Sequence, residues 1–148
     1  MHPCNLEKEP LGRIFAHTAK LHRDLLRKLA HSNGLEQGQP LALAVIAANE
    51  GISQRQLSDK LFITPASATS LLQKLERAGL VERKTDPNDQ RAFCIYLTEK
   101  GHLTDQQMKA GLKAIENACS QDFSQQELEE FRRLLIKFHN NLYRILNE

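Results

Sequence analysis

The sequence predicts a mainly α-helical protein, one compact domain with a single small β-hairpin. Apolar residues recur at three- and four-residue spacing near both ends of the chain, the pattern of amphipathic helices. Alternation typical of a paired strand is confined to residues 80–97. A length of 148 residues is usual for one domain.

The first helix is predicted from Leu11 to about Asn33 by a stripe of apolar residues on one face. Its members are Leu11, Ile14, Phe15, Leu21, Leu25, Leu26 and Leu29. Pro40 then occupies the first turn of a short second helix, Leu41 to Asn49, which Gly51 ends. Because this second helix is almost wholly apolar, we expect it to be buried.

Capping residues delimit the next two helices. Ser53 and Gln56 form a capping box that opens a third helix, which ends at Phe62-Ile63. Thr64 caps the fourth helix and Pro65 takes its first position, so that this helix runs to Ala78. Gly79 then supplies the left-handed residue that often ends a helix.

A hairpin and two further helices complete the predicted order. Strands at Leu80–Thr85 and Ala92–Leu97 flank the polar residues 86–90, which are predicted to form the hairpin tip. Thr98 caps a fifth helix that ends near Ser120, and Ser124 with Glu127 opens a sixth. The apolar stripe of this last helix consists of Leu128, Phe131, Leu134, Leu135, Phe138, Leu142 and Ile145.

Composition excludes several classes of protein. No apolar run approaches the roughly 20 residues that span a bilayer, and the N-terminus lacks a secretory pattern, so we expect a cytoplasmic protein without membrane association. Three cysteines without close pairing are typical of a reducing compartment. Residues 10–91 carry 12 basic and 8 acidic side chains, which favours this part for any contact with nucleic acid.

The third and fourth helices with the hairpin form a winged helix-turn-helix, and the outer face of the fourth helix is predicted to contact DNA bases. Small residues let such a helix approach base edges, hydroxyls can donate or accept, methyl groups suit thymine, and Gln73 suits adenine. The predicted base-contacting residues are Ala66, Ser67, Thr69, Ser70 and Gln73. A polar face is also what any amphipathic surface helix presents, so a purely structural role stays open.

Contacts to the DNA backbone are predicted on both sides of this helix. The residues concerned are Gln54, Arg55, Thr64, Lys74, Arg77, Arg83 and Lys84. Basic residues on a hairpin with a polar tip suit strands that straddle phosphates. A solvated turn is the alternative explanation of the tip.

Five segments resemble the MarR (multiple-antibiotic-resistance regulator) family of transcription factors. They are Ile52–Leu57, Thr64–Thr69, Leu75–Arg83, Asp86–Arg91 and Leu97–Gly101. The resemblance implies a homodimeric winged-helix regulator that binds a pseudo-palindromic operator in double-stranded DNA. It also implies that Asp89 braces the hairpin and that Arg91 enters the minor groove. Position 70, often an arginine in the family, is Ser70 here.

The resemblance also divides the chain by role. Residues 1–34 and 102–148 are expected to dimerise, and residues 35–101 to bind DNA. The resemblance implies a repressor released by a small-molecule effector that lodges between the dimer helices and the DNA-binding part. Phe15, His22, Leu43 and Leu112 are positions that could line such a site, although each is also explained as ordinary core.

Other functions are less well supported by the sequence. It shows neither a nucleophile with a base nor a cluster of metal ligands, so no enzyme and no cofactor are expected. His17 and His22 lie about 140° apart on their helix and do not share a ligand face, so no metal site is predicted. His102 or His139 could still meet a histidine of the first helix across the fold, which leaves a metal-sensing variant as a weaker alternative. Cys94 and Cys119 are expected to be small buried residues rather than redox sensors. A helical adaptor that uses the winged helix to bind protein remains the main alternative.

Overall fold

The computed structural model describes residues 6–86 and 89–148, without the side chains of residues 86–92. After a 3₁₀ turn at Leu6–Lys8, the described helices are α1 (Leu11–Ser32), α2 (Gln39–Ala48), α3 (Gln54–Leu61), α4 (Pro65–Arg77), α5 (Glu99–Ser120) and α6 (Gln125–Asn147). The strands are β1 (Ile52–Ser53), β2 (Val81–Asp86) and β3 (Asp89–Leu97). The mainly α-helical class with one hairpin is therefore confirmed.

The sheet has three strands rather than the two of the predicted hairpin. All pairs are antiparallel in the order β1-β3-β2, with Ile52 opposite Ile95 and Val81 opposite Leu97. The sequence analysis missed β1 because two residues are too few to show alternation. Its pairing with β3 ties the start of α3 to the base of the hairpin.

The core lies where α2, α3, α4 and the sheet meet. Its largest fully buried side chains are Leu43, Ile46, Leu57, Leu72, Leu75 and Ile95. The expected burial of α2 is confirmed for Leu43 and Ile46, whereas Leu41 at its start is exposed. Leu43, a position that could line an effector site, is buried in this core, which agrees with its alternative explanation as ordinary core, and the effector site stays a prediction.

The predicted caps are present. The Ser53 hydroxyl accepts a hydrogen bond from the Gln56 N–H at 3.2 Å, and the Gln56 amide oxygen accepts from the Ser53 N–H at 3.0 Å. Ser124 and Glu127 form the same box at the start of α6. There, the Ser124 N–H and hydroxyl both donate to the Glu127 carboxylate, which lowers the pKa of that carboxyl.

The start of α5 is attached to the end of α4. The Thr98 hydroxyl donates to the Gly79 carbonyl at 2.6 Å, and the Lys100 ammonium donates to the Ala78 carbonyl at 2.7 Å. These contacts satisfy carbonyls at a helix C-terminus, where a positive charge is favourable. The Thr98 hydroxyl also accepts from the Gly101 N–H, so one residue caps α5 and joins it to α4.

The chain divides into two compact units within α5, one ending at Leu112 and the other comprising Lys113–Glu148. The predicted division of roles at residues 34 and 101 stays a prediction. In the second unit, α6 has no buried residue although it is rich in large apolar side chains. Of the helices in the described ranges, none combines the length and apolarity that crossing a membrane requires.

Phe62, which follows α3, has a left-handed backbone with φ 53° and a side chain that is 95% exposed. A left-handed L-residue costs about 1–2 kcal/mol, and asparagine tolerates this conformation better than phenylalanine. We therefore expect Phe62→Asn to raise the free energy of unfolding by about 0.5–1 kcal/mol, measured by urea denaturation. The control Lys60→Asn, within α3, should not stabilise the chain. Reduced stability of Phe62→Asn would contradict the prediction.

Candidate nucleic-acid interface

Helix α4 has one buried face and one exposed face, as its sequence predicts. Ala68, Leu72 and Leu75 are fully buried and anchor the helix in the core. The predicted base-contacting residues lie on the other side, where Ala66, Ser67, Ser70 and Gln73 are exposed and Thr69 is partly exposed. The helix is thus held by its apolar face while small and polar side chains face outward.

Ser67 and Thr64 are engaged with each other at the start of α4. The Thr64 hydroxyl accepts from the Ser67 N–H at 3.2 Å, and the two hydroxyl oxygens lie 2.9 Å apart. The Thr64 side chain, predicted to contact the DNA backbone, therefore serves first as the helix cap. Both residues are nevertheless exposed and sit at a helix N-terminus, where backbone N–H groups favour an anion such as phosphate.

Thr69 and Gln54 connect α4 with α3. The Gln54 amide donates to the Thr69 hydroxyl at 2.7 Å, and that hydroxyl donates to the Pro65 carbonyl at 2.9 Å. Gln54, a predicted backbone contact, thus uses its side chain inside the helix-turn-helix. By contrast, Ser70 and Gln73 have exposed side chains for which no hydrogen bond is found within the described residues.

Two of the predicted phosphate-contacting cations are paired with carboxylates from other elements. Lys74 Nζ lies 3.1 Å from Glu36 Oε2 of the segment between α1 and α2. Arg83 Nε of β2 lies 2.8 Å from Glu76 Oε1 of α4. The second pair joins the hairpin to α4 and orients the arginine on it. Neither pair could be predicted from the spacing of its two residues along the sequence.

Lys84, a third predicted phosphate contact, is held on the hairpin itself. Its ammonium lies 2.8 Å from Glu82 Oε1 and 4.9 Å from the centre of the Tyr96 ring. The hydrogen bond to Glu82, together with the charge of that carboxylate, raises the pKa of Lys84. The side chain is therefore positively charged at neutral pH.

Among the residues predicted to contact phosphates, Arg55 and Arg77 are the arginines without a carboxylate partner in the described part of the chain. Both are exposed, and in the described part of the chain neither lies within ion-pair distance of a carboxylate. Arg77 Nε donates to the Gln73 carbonyl at 3.3 Å within α4. Arg55 lies in the first turn of α3 and Arg77 in the last turn of α4, so the two charges lie on different helices of the helix-turn-helix.

Asp89 and Arg91, predicted to act in the minor groove, belong to β3 by their backbone. Their side chains lie outside the described residues, so the proposed brace and groove contact stay predictions. Phe93, further along the same strand, is exposed, whereas Ile95 and Leu97 are buried. Of the alternate apolar residues predicted to face the core, only the last two, Ile95 and Leu97, are therefore buried.

The described residues also include the histidines and cysteines considered for metal and redox chemistry. Among the side chains that the structure describes, His, Cys, Asp and Glu form no group of three that could hold a metal ion. Cys119, expected to be buried, is instead exposed near the end of α5, and in the single chain no described residue of α5 after Met108 is buried. Cys94 is partly buried in β3.

Comparison with known proteins gives consistent matches. Residues 33–92 match the model of the MarR family. A Thauera aromatica protein assigned to transcriptional regulation of the hcr operon is 32% identical over 125 residues, which are 82% of this chain and 71% of that protein. The S. aureus MepR G34K mutant superposes with a TM-score of 0.82 over 90% of this chain and 99% of its own, at 21% identity. The S. aureus MepR-DNA complex gives 0.73 over 89% and 97%, at 25% identity.

Proposed function

The chain belongs to the MarR family of DNA-binding transcriptional regulators, and from this premise we propose that it binds a pseudo-palindromic operator as a homodimer. In this proposal α4 of each protomer enters the major groove and the hairpin lies along the neighbouring minor groove. The observation that carries it is the outer face of α4, where small and polar exposed side chains are backed by three fully buried anchors. A helix with such a face can approach base edges closely.

The ion pairs of the free chain are compatible with this role. Exposed pairs such as Lys74 with Glu36 contribute about 0–1 kcal/mol, so exchanging the carboxylate for a DNA phosphate costs little. The pair between Arg83 and Glu76 holds a cation in place before DNA arrives. We propose that Lys74 and Arg83, together with Arg55, Arg77 and Lys84, contact the phosphates on both sides of α4.

The homodimer is supported by α6, which leaves a row of large apolar side chains exposed in the single chain. These include Phe131, Leu134, Leu135, Leu142 and Ile145. A soluble protein rarely leaves so large an apolar surface uncovered, and a second copy of the chain covers it with C2 symmetry. The two α4 helices of such a dimer face half-sites about one helical turn apart.

We further propose that the protein acts as a repressor in the cytoplasm, where chromosomal DNA is accessible, and that a small-molecule effector releases it. An effector with higher affinity for a dimer whose α4 helices are wrongly spaced shifts the population away from DNA.

Binding of the purified protein to duplex DNA at several salt concentrations tests the proposal. If these five basic side chains and Arg91 of each protomer displace counterions, log affinity should fall with log salt at a slope as steep as about −11 for the dimer. The stoichiometry should be two chains per duplex. A protein that uses the winged helix to bind other proteins would show weak duplex binding without this salt dependence.

Arg91→Ala should weaken operator binding and flatten the salt slope by about one unit per protomer, because each arginine near the minor groove displaces counterions. Loss of preference for A·T-rich flanks should accompany this change, since a narrow A·T minor groove attracts arginine. Asp89→Ala should give a milder loss. Lys113→Ala, a charge removal on α5, serves as the control and should leave binding unchanged. An unchanged slope in Arg91→Ala would remove the hairpin from the proposed interface.

A further inference from the structure

The Thr69 hydroxyl is already committed inside the protein. Its single proton is donated to the Pro65 carbonyl at 2.9 Å, and its oxygen accepts a hydrogen bond from the Gln54 amide at 2.7 Å. A hydroxyl has one proton to give, so Thr69 cannot donate to a base without breaking the contact with Pro65. The side chain retains for a partner its methyl and the second lone pair of its oxygen, and the methyl is the group that suits an apolar contact.

The two hydrogen bonds also fix the orientation of that methyl. A β-branched side chain is already stiff about χ1 in a helix, and threonine selects among its rotamers through a bond to a preceding carbonyl. The bond from Gln54 comes from a different helix, so the Thr69 rotamer is set by the packing of α3 against α4. Ala66, one turn earlier on the exposed side, adds a second methyl.

We propose that Thr69 is a specificity-determining residue that recognises the C5 methyl of a thymine, and that Gln54 is the positioning residue that holds it for this contact. The inference rests on the proposed binding of α4 in the major groove. In that groove thymine is the base that presents a methyl, so an apolar contact there distinguishes thymine from the other bases. Gln54 thereby changes from a predicted phosphate contact to a support for Thr69.

The test removes the base methyl alone. A pool of duplexes with a randomised centre is enriched on the wild-type protein, and each thymine of the selected duplex is then replaced by deoxyuracil. Deoxyuracil pairs as thymine does and lacks the C5 methyl. At one thymine in each half-site, the replacement should weaken wild-type binding about fourfold, the value expected for losing burial of one methyl group.

Variants of Thr69 assign this sensitivity to its methyl. Thr69→Val replaces the hydroxyl by a second methyl, so either branch of the side chain offers a methyl without positioning by Gln54, and the variant should keep a clear loss on deoxyuracil. Thr69→Ser keeps the hydroxyl and lacks the methyl, so thymine and deoxyuracil should bind it equally. Ser70→Ala, the matched control, removes a neighbouring hydroxyl and should retain the fourfold difference.

Gln54→Met tests the positioning role, because methionine fills a similar volume and cannot donate a hydrogen bond. The thymine-to-deoxyuracil ratio should fall below about twofold while the melting temperature stays close to that of the wild type. This ratio compares two duplexes on one protein, so a general loss of stability does not change it. A full fourfold ratio in Gln54→Met would overturn the positioning role.

The outcomes separate this inference from the proposed function. Enrichment of a duplex that shows no deoxyuracil effect, or an effect that persists in Thr69→Ser, overturns the inference and leaves DNA binding intact. Failure to enrich any duplex overturns the proposed function and the inference with it.

Discussion

Replacing Gly101 by alanine is expected to lower the free energy of unfolding by about 3 kcal/mol, because the added Cβ has no room. Gly101 is buried in the first turn of α5, and a Cβ there would overlap the backbone carbonyl oxygen of Leu80 and lie 3.3 Å from the Leu97 Cβ. A backbone carbonyl cannot rotate away as a side chain can. The start of α5 must therefore shift, which also strains the contacts of Thr98 and Lys100 with the end of α4.

Gly111→Ala provides a matched control in the same helix. A Cβ at Gly111 would meet the end of the Leu29 side chain, which is able to move. Alanine also favours a helix interior over glycine by about 1 kcal/mol, which offsets the cost of moving Leu29. Thermal unfolding should thus place Gly101→Ala well below the wild type and Gly111→Ala near it. Equal effects in the two variants would refute the backbone explanation.

The contact at Gly101 also has a functional consequence. It lies where α5 meets the residues that follow α4, so the seating of α5 influences the end of the proposed DNA-contacting helix. If Gly101→Ala remains folded, we expect it to bind operator more weakly than Gly111→Ala does. The Leu97–Gly101 segment thus has a packing role in addition to its helix cap.

Local chemistry explains why much of the fold could be predicted from the sequence. Ser53, Thr64 and Ser124 are capping residues whose hydrogen bonds lie within three positions, and all three open helices in the structure. Apolar spacing likewise predicted the buried face of α4, because a helix repeats every 3.6 residues. Features that depend on distant partners were missed. Strand β1 pairs with residues more than 40 positions away, and Lys74 pairs with Glu36 across 38.

The candidate site shows the same division between local and distant effects. The exposed face of α4 could be predicted, but the state of each hydroxyl on it could not. Thr69 and Ser70 are adjacent and similar in sequence, yet one hydroxyl is engaged by Gln54, which lies 15 positions away, while the other shows no bond within the described residues. Sequence alone therefore identified the surface, and the structure distinguishes the groups on it that remain available.

The double substitution Leu135→Glu with Leu142→Glu is expected to abolish both dimerisation and operator binding. These leucines are seven positions apart, so they lie on nearly the same side of α6, and in the single chain they are 41% and 46% exposed. In the proposed homodimer this side is covered by the second copy. Four unpaired carboxylates would then be buried in one interface, at a cost of several kcal/mol each. The variant should elute at the mass of one 16.8 kDa chain.

The matched control adds the same two charges on the opposite side of α6. Asn140→Glu with Asn147→Glu places them seven positions apart, like the two leucines, at about 140° and 120° around the helix from Leu135 and at exposed positions. This variant should remain dimeric and bind operator as the wild type does. Because a single protomer presents one α4 to one half-site, the leucine variant loses the contribution of the second half-site and its symmetric footprint. If the leucine variant stays dimeric at low micromolar concentration, α6 is not the dimer interface, and its exposed apolar row must bind something other than a second copy.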